Sequence, residues 1–213
     1  IDALDAVVLT HAHRDQLCGL YRGRWPGCPV HAPSGERELL EKDTLQQFWS
    51  SYQRNGAPPN YAAPRLPLPA VSCNLNADSE TIIGPARFCA IATPGHTAGC
   101  TTWTATVGKG PGKKLVVVVG SPNVNPGFQL VNNKAYPKIA GDFARTFKVL
   151  NSLKCDYFLG AHGNYYGMHA KYPKQKAGAK VSPFIDPAGY RDYIQLKEKA
   201  FRDTLAAQKK SSK

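Results

Sequence analysis

Ala6 to Gln16 reads AVVLT-HAHRDQ, an apolar, β-branched run that passes without a turn into a cluster of metal-capable side chains. Five such residues predict a buried strand over Ala6–Thr10. The cluster then sits at the strand's C-terminal end, where α/β sites are commonly built. Histidines at i and i+2 face the same way from an extended segment, so His11 and His13 can address one ion, with Asp15 two positions further on. Imidazole nitrogen and carboxylate oxygen are ligands that zinc accepts while keeping one position open for water. His-x-His alone is a weak signal; His-x-His-x-Asp at the end of an apolar strand is much stronger.

Working outward, the same arrangement recurs twice. His96 in PGHTAGCTTW (Pro94–Trp103) and His162 in LGAHG (Leu159–Gly163) also follow strands, in Gly-flanked turns that permit close backbone approach. His31 and His169 lack this context and read as surface or packing residues. Short strands are predicted at Gly27–His31, Val71–Leu75, Glu80–Ile83, Ala86–Ala92, Thr101–Val107, Leu115–Val119 and Tyr157–Gly160, those from Val71 to Val119 forming a β-meander. Apolar residues at helical spacing predict helices over Thr44–Tyr52 and Ile139–Leu153. A further helix starts near Ser34, and another follows the Asp186-Pro187 cap with Tyr190, Ile194, Phe201 and Leu205 on one stripe. Asn55–Pro69, rich in Pro, Asn and Ala, is an irregular loop long enough to serve as a site flap.

Composition narrows the class. A chain of 213 residues, 42% of them hydrophobic, can bury a core as a single domain over 1–213, which excludes disordered and fibrous readings. The longest apolar run, Leu115–Val119, falls far short of the roughly 18 residues of a membrane span. A formal charge of +12 would attract nucleic acid, anionic membranes or acidic substrates. RNA-binding signatures are missing, however, so no specific nucleic-acid partner is expected. The lysines of the last third read as a solvated helix face and a frayed basic tail at 206–213. Six cysteines without a CxxC pair argue against a thiolate zinc cluster. Their spacing leaves open whether they form one or two disulfides or remain thiols. The chain opens on Ile1 with no signal-peptide pattern and reads as a mature or truncated product. Oligomeric state is not legible.

HAHRDQ, PGHTAGCTTW, GSPNVNPGFQLVNN, FLGAHGNYYGM and PFIDPAGY together resemble the metallo-β-lactamase superfamily, specifically its third (B3-type) subclass, from Leu4 to about Leu205. The resemblance implies an α/β fold, an αββα sandwich with a two-zinc (Zn2+) site in the cleft between its sheets. Carried over by position, His11, His13 and His96 match a three-histidine site and Asp15 with His162 a second. Water sharpened by the metal and oriented by Asp15 would open the β-lactam ring of a penicillin, cephalosporin or carbapenem. Gln16 stands where the family has a further histidine ligand. An amide oxygen is the poorer ligand, so one or two zinc ions are expected, the second held weakly. Arg14 and Ser121 are candidate contacts to a substrate carboxylate, against plainer roles as a surface cation and a turn residue. The strands that open the fold in the family are missing before Leu4, so the N-terminal part is incomplete. Gly120 and Ser121 stand where lactonases, glyoxalase II enzymes and nucleases carry a bridging aspartate, which favours a lactamase over a lactonase, thioesterase or nuclease. A non-catalytic member with a degraded second site is the alternative of a different class. Periplasmic or secreted location is implied by the resemblance.

Overall fold

A computed structural model describes residues 4–17, 28–36, 73–75, 79–84 and 86–212. The predicted helix over Thr44–Tyr52 and the loop Asn55–Pro69 lie outside them.

The strand that enters the histidine cluster, β1, is Val7–Val8. It is shorter than predicted because the next residues leave the ladder. Leu9 N still donates to His31 O at 2.9 Å, but Thr10 O turns away to accept from Thr101 N at 2.8 Å. The short helix α1, Arg14–Leu17, comes next. Strand β2 is Val30–Pro33, a few residues later than Gly27–His31, and it runs into a single 3-10 turn, Ser34–Glu36.

Strand β3, Cys73–Leu75, corrects the predicted meander. It pairs in parallel with β2, so that among the described residues this sheet has the order β1-β2-β3. Strand periodicity identifies an extended segment, whereas its partner is chosen by tertiary packing. The meander proper is β4 (Ser79–Ile83), β5 (Ala86–Ala92), β6 (Thr101–Val107) and β7 (Lys114–Val119), antiparallel throughout. Strand β8, Tyr157–Gly160, adds to β7 in parallel. A parallel neighbour needs a crossover, and the helix α2, Ile139–Ser152, lies within it.

Packing follows from side-chain alternation. On β7, Val117 and Val119 face the helices, while Val118 faces the other sheet. Residues Ile139, Phe143, Phe147 and Leu150 of α2, spaced by three and four, are buried against that first face. Tyr190, Ile194 and Phe201 from α4, Pro187–Ser211, join them. Phe201 stacks on Phe143 and Phe147 at centroid separations of 5.4 and 5.6 Å. Across the seam, Val8 packs on Ala90 and Trp103, and the Trp103 indole N–H donates to Leu9 O at 2.9 Å. Among the described residues, helices on a five-stranded sheet, itself backed by a second sheet, form the mixed α/β sandwich expected from the sequence.

Helix α4 starts as its sequence predicts, with Pro187 in its first turn and the Asp186 carboxylate accepting from Gly189 N at 2.8 Å. It continues to Ser211. Lys209 and Lys210 occupy its last turn, where cations suit the helix dipole. Helix α3, Met168–Lys176, was not predicted: Pro173 lies inside it and none of its residues is buried, so it has no apolar stripe to read. Among the described residues no helix is long and apolar enough to cross a membrane. Cys28, Cys89, Cys100 and Cys155 carry free thiols.

Candidate metal centre

Strand register brings the separate histidine segments to one end of the sandwich. Ala92 at the end of β5 pairs with Thr101 at the start of β6, and Val119 at the end of β7 pairs with Gly160 at the end of β8. The loops after β5, β7 and β8 therefore leave the sheet on the same edge. The Thr10–Thr101 backbone bond ties the end of β1 to that edge. Gly95 supports the His96 loop: its φ of +130° suits glycine, and a Cβ there would lie 2.7 Å from the Phe143 ring.

His11, His13 and His96 meet edge to face, with ring centroids 4.7 to 5.0 Å apart. Their ligand atoms all lie within 4.8 Å of one another. Second nitrogens fix the rings. His96 Nδ1 lies 2.8 Å from Asn123 O, a pure acceptor, so that nitrogen carries the proton and Nε2 presents its lone pair. His96 Nε2 faces His13 Nδ1 at 3.0 Å. His11 Nδ1 meets the Thr10 hydroxyl at 3.0 Å, leaving His11 Nε2 buried without a partner. An unpaired buried nitrogen is costly unless something coordinates it.

Burial decides the charge state of these rings. Desolvation, with His96 and His13 adding repulsion, pushes His11 down to about 2. Desolvation likewise brings His96 to about 4 and lowers His13. Near neutral pH all three are neutral imidazoles, the form that binds a divalent cation. Orphaned nitrogen, convergent lone pairs and neutral rings fit a divalent metal ion held by the three histidines.

Asp15, Gln16 and His162 form an adjoining, more exposed group. His162 Nε2 lies 3.2 Å from Asp15 Oδ2. The Gln16 amide nitrogen is 3.3 Å from both Asp15 Oδ2 and Ala161 O, and 3.5 Å from His162 Nε2. Two acceptors identify the atom facing them as nitrogen, so Gln16 donates into this group; as a metal ligand it would have to turn its oxygen inward.

Ser121, buried after β7, directs its hydroxyl to the Tyr165 hydroxyl at 3.1 Å. Arg14 begins α1, and its side chain is outside the description. His31 lies on β2 beside Val8, and His169 is exposed on α3. Neither joins the cluster.

Three supporting residues escaped the sequence reading. Asn123 acts through its backbone carbonyl, which any residue type supplies. Tyr165, packed at 5.0 Å from the His162 ring, accepts from Asn123 Nδ2 at 2.6 Å. Glu36, read only as a helix start, is fully buried and holds the loops of the three histidines. Burial pushes its carboxyl up, opposed by hydrogen bonds from Thr97, Ala12 and Gly99.

No protein-family model matches the chain. Among solved structures it is similar to the FEZ-1 metallo-β-lactamase of Legionella gormanii, at 30% identity and a TM-score of 0.81, over 96% of this chain and 75% of that one. It is also similar to BJP-1, a subclass B3 metallo-β-lactamase of Bradyrhizobium japonicum, at 30% identity and a TM-score of 0.75, covering 98% and 75%. A Cronobacter sakazakii metallo-β-lactamase with a HARLDQ motif aligns at 29% identity and a TM-score of 0.75, over 96% and 73%. That motif, like HAHRDQ here, closes on Asp-Gln.

Proposed function

The chain belongs to the metallo-β-lactamase family, with B3-type members among its structural neighbours, and from that membership we propose that it is a zinc-dependent β-lactamase opening the ring of penicillins, cephalosporins or carbapenems. Membership supports a hydrolase of this fold; zinc and the β-lactam substrate are the reading added to it. The observation that carries this reading is the convergence of His11 Nε2, His13 Nδ1 and His96 Nε2, the first of them buried and unpartnered.

Those three nitrogens would hold the ion. Bound there, zinc supplies Lewis acidity and lowers the pKa of water towards neutrality. Asp15, beside the cluster and half exposed, would accept a hydrogen from the attacking water and aim its oxygen at the ring carbonyl. The oxygen bonds to that carbon, the ring C–N bond breaks, and the ring nitrogen takes up a proton. Asp15 and His162, with Gln16, would form a second and weaker metal position. Arg14 would attract the substrate carboxylate by charge, and Ser121 would contribute indirectly, through its hydrogen bond to the Tyr165 hydroxyl. The family relationship favours a periplasmic or secreted setting.

A chromogenic cephalosporin tests the proposal. Zinc-loaded protein should turn it over, lose that activity to a chelator and regain it on adding Zn2+. Zinc-replete protein that leaves a panel of β-lactams intact but cleaves lactones or thioesters would replace the substrate assignment.

A further inference from the structure

Glu36 buries its carboxyl group with 0% exposure, yet it touches no ligand atom of the three histidines. Its Oε2 accepts from Ala12 N at 2.8 Å, the amide between His11 and His13. Its Oε1 accepts from the Thr97 hydroxyl and, at 2.8 Å, from Gly99 N, both just beyond His96. Among the described residues no cation pairs with it, and its hydrogen bonds come from the neutral donors Ala12 N, the Thr97 hydroxyl and Gly99 N. Burying a carboxylate without a counter-ion is expensive, and apolar packing would close the same gap at lower cost. The backbones are shaped to admit it: a Cβ on Gly35 would lie 2.8 Å from Gly99 Cα, and one on Gly99 would lie 2.8 Å from Gly35 Cα. Both positions are therefore confined to glycine by the approach that puts Glu36 between the loops.

We infer that Glu36 is a positioning residue for the metal centre, one carboxylate spanning the two chain segments that bear His11, His13 and His96 and setting the spacing of their nitrogens. The inference rests on the three-histidine reading above. Hydrogen bonds behind a ligand set typically govern metal affinity by 10- to 100-fold, through orientation more than through fold stability. Oxygen accepts on both sides of the gap, so an amide in its place would offer N–H to one donor. Glu36→Gln therefore keeps the volume and breaks one of the two ties.

Metal-free protein is titrated with Zn2+ against a chromophoric chelator and with Co2+ for its d–d absorption, beside a thermal melt of the metal-free form. For Glu36→Gln the Zn2+ Kd should rise about 10- to 100-fold and the Co2+ bands should shift. For Thr97→Val, which removes one donor at constant size, the Kd should rise by less than for Glu36→Gln. Wild-type affinity and Co2+ spectrum in Glu36→Gln, with only a lower melting temperature, would make the residue merely structural and overturn the inference. Where Glu36→Gln does not fold, Thr97→Val decides alone: unchanged affinity and spectrum overturn it. None of these readouts uses a substrate, so zinc uptake without β-lactam turnover defeats the proposed function and leaves this test standing. Wild-type protein that takes up no Zn2+ defeats both.

Discussion

Asn123 O fixes one nitrogen of His96 while the other, Nε2, faces the cluster beside His13 Nδ1, so no neighbour replaces it as a ligand. His96→Ala should reduce bound zinc to background by elemental analysis and lower hydrolysis about 100-fold or more; full zinc content with retained turnover would contradict the ligand assignment. Gln16→His replaces an amide that donates into the Asp15–His162 pair with an imidazole that can coordinate. A second equivalent of zinc should then bind at lower free metal in a competition titration, and an unchanged isotherm would show that position 16 does not face the ion. The histidines were readable because a ligand loop has to combine a strand end, a turn and glycine, all of which are written locally. Glu36 was not. A carboxylate after Ser34-Gly35 reads as a solvated first helical turn, and only the approach of the Thr97–Gly99 loop from another strand pair buries it.

Among the elements, α2 contributes most visibly to the seat of the site, since Phe143 supports Gly95 directly and Phe147 stacks on Phe201 of α4. Phe147→Ala leaves a cavity where a fully buried ring stood and should cost about 3–5 kcal/mol in urea unfolding. A cost under about 1 kcal/mol would mean that the α2–α4 interface repacks. Helices α2 and α4 were legible because their apolar positions recur at three and four and because Asp186-Pro187 marks a start. Helix α3 was not, since its residues bury nothing and its proline argues against it. At its C-terminal end strand β1 was overextended by two residues for a reason outside its own sequence: the Thr10 carbonyl is claimed by Thr101. The parallel pairing of β3 with β2 was illegible for the same kind of reason, because three extended residues carry no mark of their neighbour.

At the scale of the whole molecule, the buried imidazoles couple stability to pH. In the unfolded chain a histidine takes its proton near pH 6.5, whereas in the folded metal-free protein His96 resists to about 4 and His11 to about 2. Below pH 6.5 the unfolded state therefore binds more protons, and stability falls as pH falls through that window. The metal-free protein should melt at a lower temperature at pH 5 than at pH 7, and acid should expel zinc by the same competition. A melting temperature that holds steady between those values would mean that the rings are not buried in neutral form. Trp103 extends this coupling to light. Its indole, 1% exposed, is bonded to the carbonyl two residues before His11, so the fluorophore is wired to the backbone of the ligand loop. With Trp25 and Trp49 replaced by Phe, the remaining emission should lie at short wavelength and change in step with zinc occupancy. The seam between the sheets would then act as a built-in optical gauge of loading, readable without any label.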